Sequence, residues 1–202
     1  MNINKLFGAF CAVLLGGSVL AADTPTRPSS TASAIFAGGC FWCIEADFEK
    51  LPGVIGAESG YTAGKTPNPT YEQVSAGGTG HTEAVRVTYD SSKLSYAQLV
   101  DYFWRHIDPT VKDRQFCDVG TQYRSGIYWQ NENEKKIAES SRDALLKGGK
   151  LPQIHTEIVT ATAFYPAEEY HQDYYKKNPL RYTYYRKSCG RDARVNQIWG
   201  NQ

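Results

Sequence analysis

The chain has 202 residues, of which 41% are hydrophobic, 21% charged and 13% aromatic, and its formal net charge is +1. This length and composition are typical of one globular domain with a short leader. The charge is near zero and no basic run is present, which excludes an electrostatic nucleic-acid binder, so we expect no nucleic-acid partner.

The first 33 residues resemble an export leader followed by a tether. Lys5 precedes an apolar segment over residues 6–20, and Val19-Leu20-Ala21 is a small-residue cleavage pattern. We predict a signal peptide over residues 1–21, cleavage near Ala21 or Ala22, and export to a periplasm. Residues 22–33, which are rich in Pro, Ser and Thr, are predicted to be a disordered linker. A single domain is expected over residues 34–202.

Gly38, Gly39 and Cys40 follow a short apolar run over residues 34–37. After Cys40 the apolar residues recur at helical spacing, at Phe41, Ile44, Phe48 and Leu51. This pattern predicts a strand, a tight turn and a helix, with Cys40 at the start of the helix. Because a helix N-terminus favours an anion, we expect this position to lower the pKa of the Cys40 thiol. The adjacent Phe41 and Trp42 are expected to form an apolar pocket.

The rest of the chain alternates short strand and helix patterns without a regular βαβ repeat. Strands are predicted over residues 54–61, 81–89, 123–129 and 154–163. Helices are predicted over residues 71–75, 95–107, 131–147 and 166–177, with a capping box between Ser95 and Gln98. Residues 181–202 show no clear period and are expected to be irregular. This order favours an α+β fold with a small mixed or antiparallel sheet.

Glu83 lies within the predicted strand 81–89. Val85, Val87 and Tyr89 alternate on one face of that strand, and Glu83 is in phase with them. A carboxyl group that faces the core has a raised pKa and stays protonated near neutral pH. Such a group is suited to general-acid chemistry. His81 and Glu83 also match the His-x-Glu element of zinc deaminases, but there a Pro-Cys-x-x-Cys follows the element, whereas here the Cys-x-x-Cys comes first.

Four cysteines remain after the leader, and their spacing leaves three interpretations open. A zinc site usually combines two Cys-x-x-Cys hairpins, whereas Cys117 and Cys189 stand far apart in the sequence. In an exported chain the four cysteines are also suited to structural disulfides. Alternatively, Cys40 and Cys43 form a redox pair, which the aromatic residues between them favour, because a structural cystine needs no aromatic neighbours.

Six motifs occur in order along the chain: Gly39-Cys40-Phe41-Trp42-Cys43, Ser59-Gly60-Tyr61, Asn68-Pro69-Thr70-Tyr71, Gly78-Thr79-Gly80-His81-Thr82-Glu83, Asp118-Val119-Gly120-Thr121-Gln122-Tyr123-Arg124-Ser125 and Tyr170-His171-Gln172-Asp173-Tyr174. Together they resemble the peptide methionine sulfoxide reductase A family, and the similarity covers residues 34–199. The resemblance implies an α+β fold around a two-layer sandwich core of the ferredoxin-like type. It also implies reduction of the S epimer of methionine sulfoxide, in peptides, proteins and the free amino acid, with no metal and no bound cofactor.

The resemblance further implies a catalytic set made up of Cys40, Glu83, Tyr71, Tyr123 and Asp118. Cys40 would attack the sulfoxide sulfur, while Phe41 and Trp42 would form the pocket for the substrate methyl group. Glu83, with the two tyrosines, would hydrogen-bond the sulfoxide oxygen and supply its proton. Cys40 would be left as a sulfenic acid, which a second thiol converts into a disulfide. An external thioredoxin-like donor would then reduce that disulfide.

The sequence leaves the resolving thiol open among Cys43, Cys117 and Cys189. We expect Cys43 to resolve first and Cys189 to relay, with Cys117 equally well explained as a buried bystander. A monomer in the cell envelope is expected, recycled by a periplasmic thiol donor and repairing oxidised proteins. Two other hypotheses remain: a disulfide-stapled binding domain, and a general thiol-disulfide oxidoreductase that would not depend on Glu83.

Overall fold

A computed structural model describes Met1 and residues 30–200 of the protein. The predicted signal peptide beyond Met1 and linker residues 22–29 therefore lie outside the described residues. Within the described part, no helix has the length and apolar character needed to cross a membrane.

The described residues form short strands and helices in mixed order. The strands are β1 (Thr31–Gly38), β2 (Val54–Thr62), β3 (Thr82–Asp90), β4 (Arg114–Gln115), β5 (Asp118–Val119), β6 (Ser125–Trp129), β7 (Glu157–Thr160) and β8 (Tyr165–Pro166). The helices are α1 (Phe41–Phe48), α2 (Tyr71–Ser75), α3 (Tyr96–Trp104), α4 (Glu132–Lys147), α5 (Tyr174–Lys177), α6 (Pro179–Ser188) and α7 (Arg191–Trp199). A single 3₁₀ turn, Thr121–Tyr123, precedes β6.

Six of the strands form one mixed sheet in the order β7-β6-β1-β3-β2-β8. Neighbouring strands are antiparallel, except that β7 runs parallel to β6. Strands β4 and β5 pair separately as a small hairpin. The predicted α+β fold with a mixed sheet is confirmed.

The main core lies between one face of the sheet and the helices. Phe36 of β1 stacks on Phe48 of α1 and on Phe103 of α3, each at a ring-centroid distance of 5.0 Å. Val85 and Val87 of β3 are buried in the same cluster. Glu83 follows their alternation and is 2% exposed, so the strand directs its carboxyl group to the helix side of the sheet.

Most elements up to residue 147 match their predictions, including the capping box of Ser95 and Gln98 at α3. The predicted linker ends earlier than expected, because Thr31 to Ser33 pair with β3 and belong to β1. The predicted strand 154–163 is shortened to β7, an edge strand that pairs with β6.

The helix predicted over residues 166–177 is wrong. Tyr165 and Pro166 instead form the edge strand β8, and only α5 is helical. The side chain of Gln172 accepts a hydrogen bond from the Ser59 N–H and donates to the Ser59 carbonyl oxygen, both at 2.9 Å. Asp173 adopts a left-handed backbone with φ of 53°. Side-chain bonds to β2 therefore replace the helical hydrogen bonds that the sequence pattern predicted.

The irregular tail predicted over residues 181–202 is also wrong within the described residues, because α6 and α7 occupy most of it. Each helix buries few side chains, chiefly Tyr182 in α6 and Arg191 with Val195 in α7. An apolar stripe at helical spacing is therefore missing from the sequence. Specific contacts hold these helices instead, such as the 3.1 Å bond from Trp199 Nε1 to the carbonyl oxygen of Ile107.

Candidate active site

The turn between β1 and α1 places Cys40 directly before the first helical residue. Gly39 has φ of +84°, and a Cβ atom there would lie 2.5 Å from the Cβ of Gln115. Gln115 is fully buried, and its side chain exchanges two hydrogen bonds with the backbone of Asp108, at 2.9 and 2.7 Å. Only glycine permits both this backbone conformation and the close packing of the β4–β5 hairpin on the turn.

One carboxyl group binds a free N–H group at the start of this helix, and a second lies in the adjoining cavity. Oε2 of Glu83 accepts from the Phe41 N–H at 3.0 Å. Asp118 of β5 lines the same cavity as Cys40, and its Oδ2 accepts from the Tyr185 hydroxyl at 2.5 Å. A helix N-terminus attracts negative charge and leaves its first N–H groups without partners in the helix. The free Phe41 N–H therefore holds the Glu83 carboxyl group beside the Cys40 backbone.

A cavity of about 220 Å³ opens at this turn. It is lined by Cys40, Phe41, Trp42, Tyr71, Glu83, Asp118, Tyr123 and Tyr185. Five separate segments of the chain meet here: the β1–α1 turn, α2, β3, the β5–3₁₀ region and α6. The structure thus brings together the seven predicted catalytic and pocket residues and adds Tyr185, which the sequence did not single out.

Glu83 has the environment of a neutral acid. Burial raises its pKa to about 8, and the negative charge of Asp118 adds to that effect, while the Phe41 N–H opposes it. The carboxyl group is therefore mainly protonated at pH 7. It lies in the same cavity as the Cys40 thiol, so a proton donor and a nucleophile face one bound molecule.

Tyr71 and Tyr123 line the cavity on the side of Glu83. Burial, and then the nearby Glu83 carboxylate, raise the pKa of Tyr71 to about 12, and the pKa of Tyr123 rises for the same reasons. Both hydroxyls therefore keep their protons at physiological pH. The Tyr71 N–H is held at 2.8 Å by Oε1 of Glu168, which fixes the start of α2. The site offers two hydroxyl donors beside a carboxylic acid.

Cys40 and Cys43 form a buried pair of free thiols. Burial raises the pKa of Cys40 well above its usual value, and the hydrogen bond and charge of Cys43 raise it further. The pKa of Cys43 is lowered, first by the hydrogen bond from Cys40 and then by Arg191 and Arg186. The expected lowering of the Cys40 pKa is therefore wrong for the free protein. The helix N-terminus does not overcome burial and three nearby acidic groups.

The sequence profile described as peptide methionine sulfoxide reductase matches residues 32–202. Over 199 residues the chain is 49% identical to the protein named peptide methionine sulfoxide reductase MsrA 2 of Caulobacter vibrioides, covering 98% of this chain and 100% of that protein. The chain belongs to the peptide methionine sulfoxide reductase A family. The predicted family is confirmed.

Solved structures agree with this membership of the peptide methionine sulfoxide reductase A family. Methionine sulfoxide reductase A of Corynebacterium diphtheriae superposes with a TM-score of 0.67 at 38% identity, covering 77% of this chain and 78% of that one. The reduced form of Mxr1 from Saccharomyces cerevisiae gives a TM-score of 0.69 at 33% identity, covering 76% of this chain and 89% of that one.

Two cysteines of this reductase-family chain are already joined. Cys117 and Cys189 form a disulfide with a Cα–Cα distance of 5.0 Å. Cys117 is exposed, so its alternative interpretation as a buried bystander is wrong. A four-cysteine zinc site needs four thiolates, and this bond removes two of them. A fully stapled binding domain also fits poorly, because Cys40 and Cys43 are free and Cys40 lines a ligand-sized cavity together with Glu83 and Asp118.

Away from the cavity, Glu45, Glu49 and Asp173 form a cluster of three carboxylates, whose oxygens lie within 4.8 Å of one another. These oxygens already have protein partners. Glu45 accepts from the Ser59 hydroxyl at 2.5 Å and the Asp173 N–H at 2.6 Å, and Lys176 contacts Glu49 at 2.5 Å. The group therefore holds the segment before α5 against α1 and does not suit a cation.

An aromatic wall that the sequence did not predict supports Trp42. Its ring stacks on Tyr174 at 3.7 Å, and its Nε1 donates to Nδ1 of His171 at 2.9 Å. His171 is 1% exposed, so its ring packs inside the protein. Only the motif Tyr170 to Tyr174 pointed to this region of the chain. The contacts of His171 and Tyr174 fix the indole ring of Trp42 in the wall of the cavity.

Proposed function

We propose that this protein reduces the S epimer of methionine sulfoxide to methionine, in peptides, proteins and the free amino acid. The observation that carries the proposal is the meeting of the Cys40 thiol and a neutral Glu83 at one helix N-terminus within one cavity. A sulfoxide needs both groups, because its sulfur accepts a nucleophile only as its oxygen is protonated.

In the proposed reaction the methyl group of the substrate lies against Phe41 and Trp42. The sulfoxide oxygen accepts hydrogen bonds from Glu83 and from the hydroxyls of Tyr71 and Tyr123. Cys40 attacks the sulfur, and Glu83 donates its proton to the oxygen. The substrate S–O bond breaks as an S–O bond forms at Cys40, so that Cys40 becomes a sulfenic acid and methionine leaves, while the thiol proton of Cys40 restores the Glu83 carboxyl group.

Cys43 is proposed as the thiol that resolves the sulfenic acid. It is the other buried free thiol, three residues after Cys40. Cys40, and then two arginines, lower its pKa, which favours the attacking thiolate. Attack on the Cys40 sulfenic acid forms a disulfide and releases water. The complete reaction consumes two thiols and one sulfoxide and yields one disulfide, methionine and water, so the atoms and electrons balance.

The regenerating reductant is proposed to be a thioredoxin-like dithiol, which exchanges with the Cys40–Cys43 disulfide. The leader over residues 1–21 supports export to a periplasm and repair of oxidised proteins in the cell envelope. The predictions of a mature N-terminus after Ala21 or Ala22 and of a monomeric state also stay proposals. Intact-mass measurement of the secreted protein and light scattering test them.

The activity is tested with two peptides that carry either the S or the R epimer of methionine sulfoxide, with dithiothreitol as reductant. The wild type is expected to form methionine from the S epimer only. Cys40→Ser is expected to abolish the product, and Glu83→Gln to slow it. Glu132→Gln, on the exposed face of α4, is the control for the same chemical change. Equal rates for Cys40→Ser and the wild type would overturn the proposal.

The general thiol-disulfide oxidoreductase hypothesis has less support. Cys40 is only 7% exposed and lies in a cavity lined by aromatic side chains. This position does not suit attack on a disulfide of a folded protein. Insulin reduction measures this directly. An insulin reductase activity that equals the sulfoxide activity and is unchanged in Glu83→Gln would favour that hypothesis.

A further inference from the structure

The β4–β5 hairpin and helix α6 are joined at two adjacent points. The first is the Cys117–Cys189 disulfide, where the Cys117 N–H also donates to the Cys189 sulfur at 3.2 Å. The second is the bond from the Tyr185 hydroxyl to Oδ2 of Asp118, at 2.5 Å. Asp118 follows Cys117 in the sequence, and the Cys189 N–H bonds to the Tyr185 carbonyl oxygen one helical turn away.

This junction leads directly to the nucleophile. Asp118 accepts from the Tyr185 hydroxyl and lines the cavity together with Cys40. Tyr185 lines the cavity and meets Trp42 edge to face, with ring centroids 5.9 Å apart. A hydrogen bond therefore connects α6 to Asp118, which lies in the same cavity as Cys40.

The two ends of this line are held by different parts of the fold. The hairpin is fixed on the far side by Gln115, which packs on Gly39. Helix α6 is fixed by Arg186, which pairs with Asp47 of α1 at 2.8 Å. The exposed edge between them carries the disulfide. A covalent link at that edge sets the distance that the Tyr185 hydroxyl must span to reach Asp118.

We propose that Tyr185 is a positioning residue that holds the Asp118 carboxylate in the cavity beside Cys40, and that the Cys117–Cys189 disulfide is a structural clamp on the contact between Tyr185 and Asp118. The inference rests on the proposed sulfoxide reduction. It assigns the disulfide a role outside electron transfer, so the relay through Cys189 that the sequence suggested is replaced by resolution through Cys43 alone.

Asp118 faces charged or titratable groups from several elements. These are Tyr185 of α6, Arg191 of α7, Cys40 of the β1–α1 turn, Glu83 of β3, and Tyr71 and Tyr123 beside the cavity. Burial raises the pKa of Asp118, and the Tyr185 hydroxyl, Arg191 and the Cys40 N–H oppose that rise. Removing the hydroxyl therefore raises the Asp118 pKa further, and the carboxylate is lost at a higher pH.

The test uses single-turnover methionine formation from the S-sulfoxide peptide, without added reductant, under kcat/KM conditions. Cys40 and Cys43 start reduced, and peptide mass spectrometry after alkylation verifies the Cys117–Cys189 bond in every protein that retains both cysteines. The variants are Tyr185→Phe, the pair Cys117→Ser with Cys189→Ser, and the triple combination. Tyr184→Phe, at the exposed neighbouring tyrosine of α6, is the matched control.

Tyr185→Phe is expected to lower the rate about 10-fold while Tyr184→Phe is unchanged, because one hydrogen bond to a charged group is lost. The acid limb of its pH profile is expected to move to higher pH. The triple variant is expected to match Tyr185→Phe alone, since both changes remove the same contact. A Cys117→Ser with Cys189→Ser pair that keeps the wild-type rate, or a triple variant whose loss equals the product of two measurable separate losses, would overturn the clamp. A Tyr185→Phe rate and pH profile equal to those of Tyr184→Phe would overturn the positioning role.

A second readout separates the clamp from an electron store. Fully reduced wild type with four thiols is expected to form about one methionine per chain, because only the Cys40–Cys43 dithiol reacts. About two methionines would overturn the clamp and restore the relay. This count needs no cysteine variant, so it decides the question even where the serine variants fold poorly. An inactive wild type would instead refute the proposed function, which keeps the two failures distinguishable.

Discussion

Replacing Glu83 by glutamine is expected to make the protein more stable and less active. The folded pKa of Glu83 is about 8 against an ordinary value of 4.5, so the folded protein keeps a proton that the unfolded chain releases. A group of this kind destabilises the folded state as pH rises between the two values, by ~1.4 kcal/mol per pH unit. Glutamine has the same shape and does not titrate. The difference in free energy of unfolding between Glu83→Gln and the wild type should therefore grow by about 3 kcal/mol from pH 5 to pH 7 and level off above pH 8.

Urea unfolding of Glu83→Gln and the wild type across pH 5–9 measures this difference, with the disulfide left intact. Methionine formation by the same variant is expected to fall by about 10²- to 10³-fold, because the amide cannot supply the proton. Glu132→Gln, at an exposed position, controls for the substitution. Unfolding free energies for Glu83→Gln and the wild type that run parallel across the pH range would refute the neutral Glu83 and the acid role built on it.

Three further changes test other parts of the site. Gly39→Ala should lower the free energy of unfolding in urea by ~3 kcal/mol, because its Cβ would lie 2.5 Å from a buried carbon. Gly78→Ala, also at positive φ but with no atom within 4 Å of the added Cβ, should lower it by ~1 kcal/mol. Equal losses of stability in the two variants would contradict the packing argument. Cys43→Ser should still form methionine once and leave a Cys40 sulfenic acid that dimedone traps; a variant without the adduct would argue for another resolving thiol. Glu45→Ala should lower the free energy of unfolding by about 2–4 kcal/mol, because the Ser59 hydroxyl and the Asp173 N–H lose their acceptor. It should also speed amide hydrogen exchange in the segment before α5, which these bonds hold against α1. Unchanged exchange would show that other contacts hold that segment.

The parts of the fold that were predicted from the sequence are those coded by local patterns. Alternation placed Glu83 on the buried face of β3, and the glycine pair with the helical spacing after it placed Cys40 at the start of α1. Serine and glutamine three residues apart marked the start of α3. Each of these signals lies within one element, so it can be read without knowledge of the partners.

The errors arose where the fold depends on contacts between distant residues. Gln172 replaces backbone pairing with its own side chain, so residues 166–173 do not follow the helix that their composition favours. Helices α6 and α7 are held by aromatic and arginine contacts instead of an apolar stripe. For the same reason Tyr185 could not be distinguished from the other tyrosines of α6. The raised Cys40 pKa likewise depends on how deeply the turn is buried, which the sequence does not encode locally.

The central claim is that Cys40 reduces a sulfoxide and that Cys43 resolves it. The most direct measurement is the methionine formed from an excess of S-sulfoxide peptide by the mature protein with reduced Cys40 and Cys43 and no added reductant. We expect about one methionine per chain, a new Cys40–Cys43 disulfide in the mass spectrum, and no product from Cys40→Ser. No methionine from the wild type, or an equal yield from Cys40→Ser, would contradict it.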